Sequence, residues 1–189
     1  SLKIIKYDLN DIDNIDKYIF KKHIGFKNKI YGIVNNAAYA YDDIITNADY
    51  SKLQKTYTLN VISPIILTKY TIRHLLLHRV KGNIIFISSI SAHTGYKGLS
   101  MYASSKGAIE SFSKNCAREW GPKGINSNCV VPGFMETSMS SSLSEEQKNR
   151  IYKRTCLKKA TSIASVADTV SFLISERSSS ITGQNIFVD

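Results

Sequence analysis

Apolar residues fall into two alternating rhythms along this chain. Four short runs, at 30–35 (IYGIVN), 83–88 (NIIFIS), 126–131 (NSNCVV) and 185–189 (NIFVD), have the length and composition of strands. The run at 2–7 (LKIIKY) predicts a fifth. At 84–87 four apolar residues follow one another with no polar alternation. A strand covered on both faces requires that pattern, so a parallel sheet between helices is expected.

Between these runs the period lengthens to that of a helix. Ile12, Ile15 and Ile19 place one helix over about 11–22. Leu53, Tyr57 and Val61 mark a second, and Pro64 suits the first turn of a third that runs to about His78. Ile109, Phe112 and Cys116 share a face over 103–120, where Gly121-Pro122 ends the helix. Ser144-Glu-Glu-Gln147 is a capping-box pattern that starts a helix within 145–156. Val166, Val170 and Leu173 define the last. Alternation at this spacing predicts an α/β fold, a doubly wound parallel sheet with helices on both faces. No repeat or linker divides the chain, so one domain over 1–189 is expected, with the Ser/Met-rich 138–144 as a loop.

Composition narrows the classes. With 189 residues and 43% apolar content, the chain can bury a core, and intrinsic disorder is excluded. No apolar run approaches the ~20 residues of a membrane span. Cys116, Cys129 and Cys156 are far apart and lack metal-ligand spacing, which predicts reduced thiols in a cytoplasmic protein. The net charge is +10, and it is local: the 51–100 stretch holds seven basic and no acidic residues. That is either a solvated helix face or a docking surface for an anionic partner. No zinc-finger or RNP pattern accompanies it, so nucleic acid is not expected.

The candidate chemistry centres on Tyr102-Ala-Ser-Ser-Lys106. On a helix the Tyr and Lys share one face, about 6 Å apart. A cation there favours the phenolate and is expected to lower the Tyr102 pKa from ~10 toward neutral, which suits proton exchange with a substrate oxygen. Ser88-Ser89 follows a buried strand, so its hydroxyls point to the carboxyl edge of the sheet, where open α/β sheets bind ligands. Asn35-Asn36-Ala37-Ala38 and Val131-Pro132-Gly133 end two more strands at that edge. His93 is tempting as a base, but a loop histidine is expected to be merely solvated. His74 and His78 have i, i+4 spacing without a third ligand, so no metal site is expected.

These residues together resemble a family. Asn35-Asn36-Ala37-Ala38, Asn60, Ser89, Tyr102-x-x-x-Lys106 and Pro132-Gly133 occur in the order and spacing of the short-chain dehydrogenase/reductase family. Ala117-Arg118-Glu119, Pro-Gly-Phe-Met-Glu-Thr (132–137) and Glu145-Glu146-Gln147 make the chain most similar to its 3-oxoacyl-[acyl-carrier-protein] reductases. The resemblance implies a Rossmann-type fold and hydride transfer between NAD or NADP, with NADPH favoured, and a carbonyl or alcohol. Reduction of a 3-oxoacyl thioester is implied, and a dehydrogenase of a sugar or other small alcohol is the alternative. Tyr102 would be the general acid or base, and Lys106 would tune it and hold the nicotinamide ribose. Ser89 would bond the substrate oxygen, and Asn60 would hold a water that feeds protons to Lys106, although Asn60 by itself also reads as a helix-kink residue. Asp8 and Leu9 would border the adenine, Asn35 and Ala37 the adenosine ribose, and Pro132, Gly133, Met135 and Thr137 the carboxamide. The 138–160 region would form a lid. Arg79, Lys81 and Lys123 resemble a docking site for an acidic acyl carrier protein, and Arg73 adds to that basic stretch. A homotetramer or homodimer in the cytoplasm, or in an organelle stroma, is implied, with a role in fatty acid biosynthesis and no membrane partner.

Two departures qualify the resemblance. The family's Gly-rich turn, which seats a pyrophosphate at a helix N-terminus, has no counterpart, since Gly25, Gly32 and Gly82 are isolated. Aligned on Asp8-Leu9, the sequence starts in what would be the family's third strand. The N-terminal βαβ part is then expected to be missing from the sequence, leaving 2–7 without a neighbour and 30–35 with an open edge. A non-catalytic remnant of the family is therefore a third reading. Ala38 stands where the family usually has Gly, and its methyl is expected to matter little.

Overall fold

The computed structural model describes residues 2–137, 140 and 143–189. Four strands, β1 (Gly32–Asn35), β2 (Gly82–Ile87), β3 (Ile125–Pro132) and β4 (Asn185–Val188), form one all-parallel sheet in the order β1-β2-β3-β4. Six α-helices accompany them: α1 (Tyr50–Tyr57), α2 (Ser63–His78), α3 (Ser91–Thr94), α4 (Ser100–Trp120), α5 (Glu145–Tyr152) and α6 (Ile163–Ile174).

Burial on both faces explains the uninterrupted apolar runs. Ile84 and Phe86 on β2, with Cys129 and Val131 on β3, face Ile72 and Leu75 of α2 and Ile109 and Cys116 of α4. Their alternates, Ile85 and Val130, face Val166 and Leu173 of α6. Each fully buried Ile or Phe contributes roughly 1.5–3 kcal/mol by leaving water. A third cluster of Ile15, Phe20 and Leu67 seats the N-terminal segment on the flank of α2.

Local chemistry sets the helix boundaries. Asp49 caps α1, its carboxylate accepting the Lys52 amide at 2.8 Å. Pro64 lies in the first turn of α2, as predicted. Ser144 and Gln147 form the reciprocal capping box that starts α5. Between α1 and α2 the chain does not break but widens into a π-helical turn, Thr58–Ile62. This turn contains Asn60, which gives substance to the helix-kink reading of that residue.

Some expectations need correction. Residues 2–7 carry no regular secondary structure and join no ladder, and Leu2 and Ile4 are 92% and 86% exposed. Strand pattern alone does not make a strand, because a ladder needs a neighbour and β1 pairs only with β2. The helix over 11–22 is instead a π-helical segment, Asp16–Ile24, while Ile12 and Ile15 pack ahead of it. The fourth helix starts earlier than expected, at Ser100. Ser138, Met139, Ser141 and Ser142 of the expected loop and lid lie outside the described residues.

The β1–β2 pairing leaves no room at Gly32. A Cβ there would lie 2.3 Å from the Asn83 carbonyl oxygen of the neighbouring strand. Gly32→Ala is expected to destabilise the fold by about 1–3 kcal/mol. A melting midpoint equal to that of the parent chain would show that the strands can part without cost.

Candidate active site

The carboxyl ends of β1, β2 and β3 carry the residues singled out from the sequence. α4 crosses above β2 and β3 and brings its own. Lys106 is 4% exposed, and its ammonium donates to the Ile87 carbonyl at 2.7 Å, at the last residue of β2. Tyr102, one helical turn earlier, has its ring centroid 5.5 Å from that ammonium. Ser89 lies two residues beyond Ile87, its hydroxyl in hydrogen-bonding reach of the Tyr102 phenol. Ser89 Oγ accepts from the Ser91 amide at 3.2 Å and from Ser91 Oγ at 3.0 Å. Its own O–H is thereby left free to donate toward Tyr102.

Asn60 is buried and anchors the loop after β1. Its Nδ2 donates to the Tyr39 carbonyl and to Ser105 Oγ, both at 3.0 Å, and its Oδ1 accepts the Tyr39 amide at 2.8 Å. The side chain thus ties the loop that follows Asn35-Asn36-Ala37-Ala38 to the helix carrying Tyr102 and Lys106.

Electrostatics corrects one expectation. Burial pushes the Tyr102 phenol up to about 12, against the pull of the Ser89 hydrogen bond, and the Asp42 carboxylate raises it further. The sequence had suggested a lowered value. The difference is that Lys106 turns its ammonium to the Ile87 carbonyl, and burial brings the ammonium itself down from 10.5 to about 8.

The remaining predicted residues are spread more widely. Asn35 is buried, its Nδ2 facing the Ile85 carbonyl at 3.5 Å and its Oδ1 without a partner. Asp8 is exposed and accepts the Asn10 amide at 3.0 Å, which lowers its pKa, and the Leu9 carbonyl accepts Ser63 Oγ at 2.6 Å. Ala37 is exposed. Pro132 closes β3, and a Cβ on Gly133 would lie 1.9 Å from Asp189 Oδ1. Met135 packs its side chain against the α6-facing core cluster, and the Thr137 amide donates to Ser140 Oγ at 2.9 Å. Tyr102, Lys106, Ser89 and Asn60 are therefore joined through neighbouring contacts, whereas Asp8, Ala37 and Thr137 are exposed and make no described hydrogen bond to them.

Two observations test the fit of a nicotinamide dinucleotide. The Lys106 ammonium has three donors and spends one on Ile87, so two remain for a ribose diol. Asn35 Oδ1 is a buried acceptor without a partner at the end of the adjacent strand. Lys106 thus fits the nicotinamide ribose of such a group, and Asn35 its adenosine side. Among the described residues no glycine-rich turn opens a helix toward this edge.

Sequence reasoning missed one group. Glu110, four residues past Lys106, is buried on the same side of α4, and its carboxylate takes hydrogen bonds from Ser88, His93 and Asn185. His93 is therefore not merely solvated. The available signal was an acidic residue four positions after Lys106, on the helix face that also carries Ser113 and Ala117.

The family described as enoyl-(acyl carrier protein) reductase matches residues 1–189. The chain is 32% identical over 187 residues to an uncharacterized oxidoreductase, YmfI of Bacillus subtilis, covering 99% of this chain and 75% of that protein. It is 34% identical over 169 residues to the 3-oxoacyl-[acyl-carrier-protein] reductase FabG of Chlamydia pneumoniae, covering 89% and 68%. Among solved structures, one described as an NAD(P)-dependent gluconate 5-dehydrogenase from Beutenbergia cavernae, with NADP bound, superposes with a TM-score of 0.90. It covers 99% of this chain and 75% of its own at 24% identity, a likeness that establishes the fold.

The buried cation has a pH signature. Below pH 8 the folded chain carries Lys106 charged and desolvated. As the pH rises from about 8 toward 10.5 the folded chain loses that proton while the unfolded chain keeps it, so this group's penalty on folding is relieved. Lys106→Met removes the penalty at every pH. The variant's lead in melting temperature over the parent is expected to shrink as pH rises above 8, and a constant difference from pH 7 to 10 would place the ammonium in water.

Proposed function

This chain belongs to the short-chain dehydrogenase/reductase family of NAD(P)-dependent oxidoreductases, and from that premise we propose that it reduces the keto group of a 3-oxoacyl thioester. The convergence of Ser89, Tyr102 and Lys106 at the end of β2 carries this reading. The resemblance to acyl-carrier-protein reductases supports the substrate class.

When bound, the dinucleotide supplies the hydride. Tyr102 gives its phenolic proton to the substrate oxygen as that oxygen gains charge. A phenol pushed up to about 12 is fully protonated at neutral pH, which is the form that reduction needs. Ser89, with its oxygen already accepting two hydrogen bonds from Ser91, directs its proton at the same oxygen and stabilises the developing charge. Lys106 holds the ribose with its two spare donors. Asn60 keeps the loop after β1 in register with α4, and in this reading it holds a water that resupplies Lys106. Asn35, Ala37, Asp8 and Leu9 border the adenosine side, and residues 132–137 the carboxamide. The segment through α5 to about 160 closes over the acyl chain.

The basic stretch has a place in this scheme. Arg79 ends α2, Lys81 lays its stem over Gly124, and Lys123 sits in the turn before β3. All three lie at the amino ends of β2 and β3, about 20 Å along the six-residue β2 from Ser89. We place an acidic carrier there, its substrate arm reaching a site across that distance or on a second copy. Leu77 of α2 is 61% exposed and Leu76 is 38% exposed, an apolar strip that suits packing between copies in a dimer or tetramer. No described helix is long and apolar enough to cross a membrane.

Tyr102→Phe is expected to lower kcat on a 3-oxoacyl thioester by roughly 10²–10⁴-fold with little change in melting temperature. Near-parental turnover would remove Tyr102 from the acid role, and turnover confined to free sugars or small alcohols would replace the substrate class. Arg79→Glu combined with Lys123→Glu is expected to raise KM for a carrier-bound substrate while leaving a small-thioester substrate unaffected. Equal activity on both would sink the docking site.

A further inference from the structure

Glu110 is an acid with no role in the chemistry above, yet it is one of the most heavily bonded side chains near it. Its side chain is 8% exposed. Ser88 Oγ donates to Oε1, His93 Nε2 lies 3.0 Å from both oxygens, and Asn185 Nδ2 donates to Oε2 at 2.7 Å. Those partners come from the end of β2, from α3 and from the start of β4. Glu110 itself lies one turn beyond Lys106 and two beyond Tyr102 on α4.

The geometry matters because Ser89 lies between two of those partners. Ser88 immediately precedes it, and His93 closes the α3 turn, where the Ala92 amide donates to the Ser89 carbonyl at 3.1 Å and the His93 amide to the Ile90 carbonyl at 2.9 Å. The His93 ring also meets Phe187 of β4 edge-on, at 4.9 Å between centroids. Apart from the contact between Ser89 and Tyr102 themselves, no described hydrogen bond other than those to Glu110 joins residues 88–94 to α4. The backbone of this turn is held to β3, the Ser88 amide donating to the Val130 carbonyl at 2.8 Å and the Ile90 amide to the Pro132 carbonyl at 2.9 Å, and the Lys106–Ile87 bond joins the end of β2 to α4, so the Glu110 carboxylate is the tie from behind that reaches residues 88–94 themselves from α4.

We propose that Glu110 is a positioning residue: together with Ser88, His93 and Asn185 it latches the Ser89-bearing turn to α4, fixing where Ser89 and Tyr102 meet around the substrate oxygen. The latch costs two partly desolvated charges or dipoles, and an apolar residue of similar size can replace such a group with neutral or even favourable stability. Stability and positioning are thus separable. A misplacement of about 1 Å at a reacting centre costs on the order of 10²-fold in rate.

The test compares Glu110→Leu and Glu110→Gln in the full chain by two readouts. The first is amide hydrogen exchange at Ala92 and His93, which needs no turnover. The second is kcat and KM for a 3-oxoacyl thioester, and this arm alone rests on the proposed reaction. For Glu110→Leu, exchange at Ala92 and His93 is expected to rise roughly tenfold while amides of 109–117 keep their rates. kcat is expected to fall about 10²-fold with KM for the dinucleotide unchanged. Glu110→Gln, which keeps an acceptor for Ser88 and His93, is expected to recover most of both. Unchanged exchange at residues 88–94 in folded Glu110→Leu overturns the proposal, whatever happens to kcat. Faster exchange in a chain whose parent shows no turnover supports the latch and removes the reaction. If Glu110→Leu does not fold, Ser88→Ala and Asn185→Ala, which each delete one bond, are judged by the same exchange criterion.

Discussion

A single buried ammonium organises this molecule. Lys106 is almost wholly enclosed, and its one hydrogen bond to the chain goes to the Ile87 carbonyl at the tip of β2. A buried cation without that acceptor would be strongly unfavourable, so the bond fixes α4 against the strand end. Tyr102 and Glu110 stand one turn to either side of Lys106 on that helix, and their positions follow from it. So does the value of the ammonium itself, brought down to about 8 by the same burial that leaves two of its donors unspent.

The sheet makes this arrangement possible. Because β2 and β3 are covered on both faces, their backbone groups are committed to the ladder and only their ends are available for chemistry. The candidate site residues lie at the carboxyl ends, with Asn35 finishing β1, Ser88 and Ser89 following β2 and Pro132 finishing β3. The basic residues Arg79, Lys81 and Lys123 collect at the other end. Chemistry and the candidate docking surface are thus separated along the strands, and the +10 net charge says little about the site itself.

How much of this could be read from the sequence varies with the range of the interaction. The 84–87 run, Pro64 and Ser144 each encode a nearby event, and the structure realises β2, the start of α2 and the capped α5 close to where they were expected. Tyr102 and Lys106 share a helix face through spacing alone. The failures are non-local. Residues 2–7 have a strand's pattern, but pairing depends on a partner that pattern does not specify. The Tyr102 pKa followed burial, which spacing to Lys106 could not reveal. Glu110 joins His93 from 17 residues away and Asn185 from 75, so no local motif announces the latch. His93 looked like an isolated loop residue for the same reason.

The central claim is that the groups gathered around Lys106 form a hydride-transfer site for a carbonyl. The most direct measurement supplies the purified chain with a 3-oxoacyl thioester and dinucleotide carrying deuterium at the nicotinamide C4, then weighs the product. One deuterium at the former keto carbon, present with the parent chain and lost in Tyr102→Phe, is the predicted result. A folded chain that binds both compounds yet leaves the keto group unlabelled would contradict it.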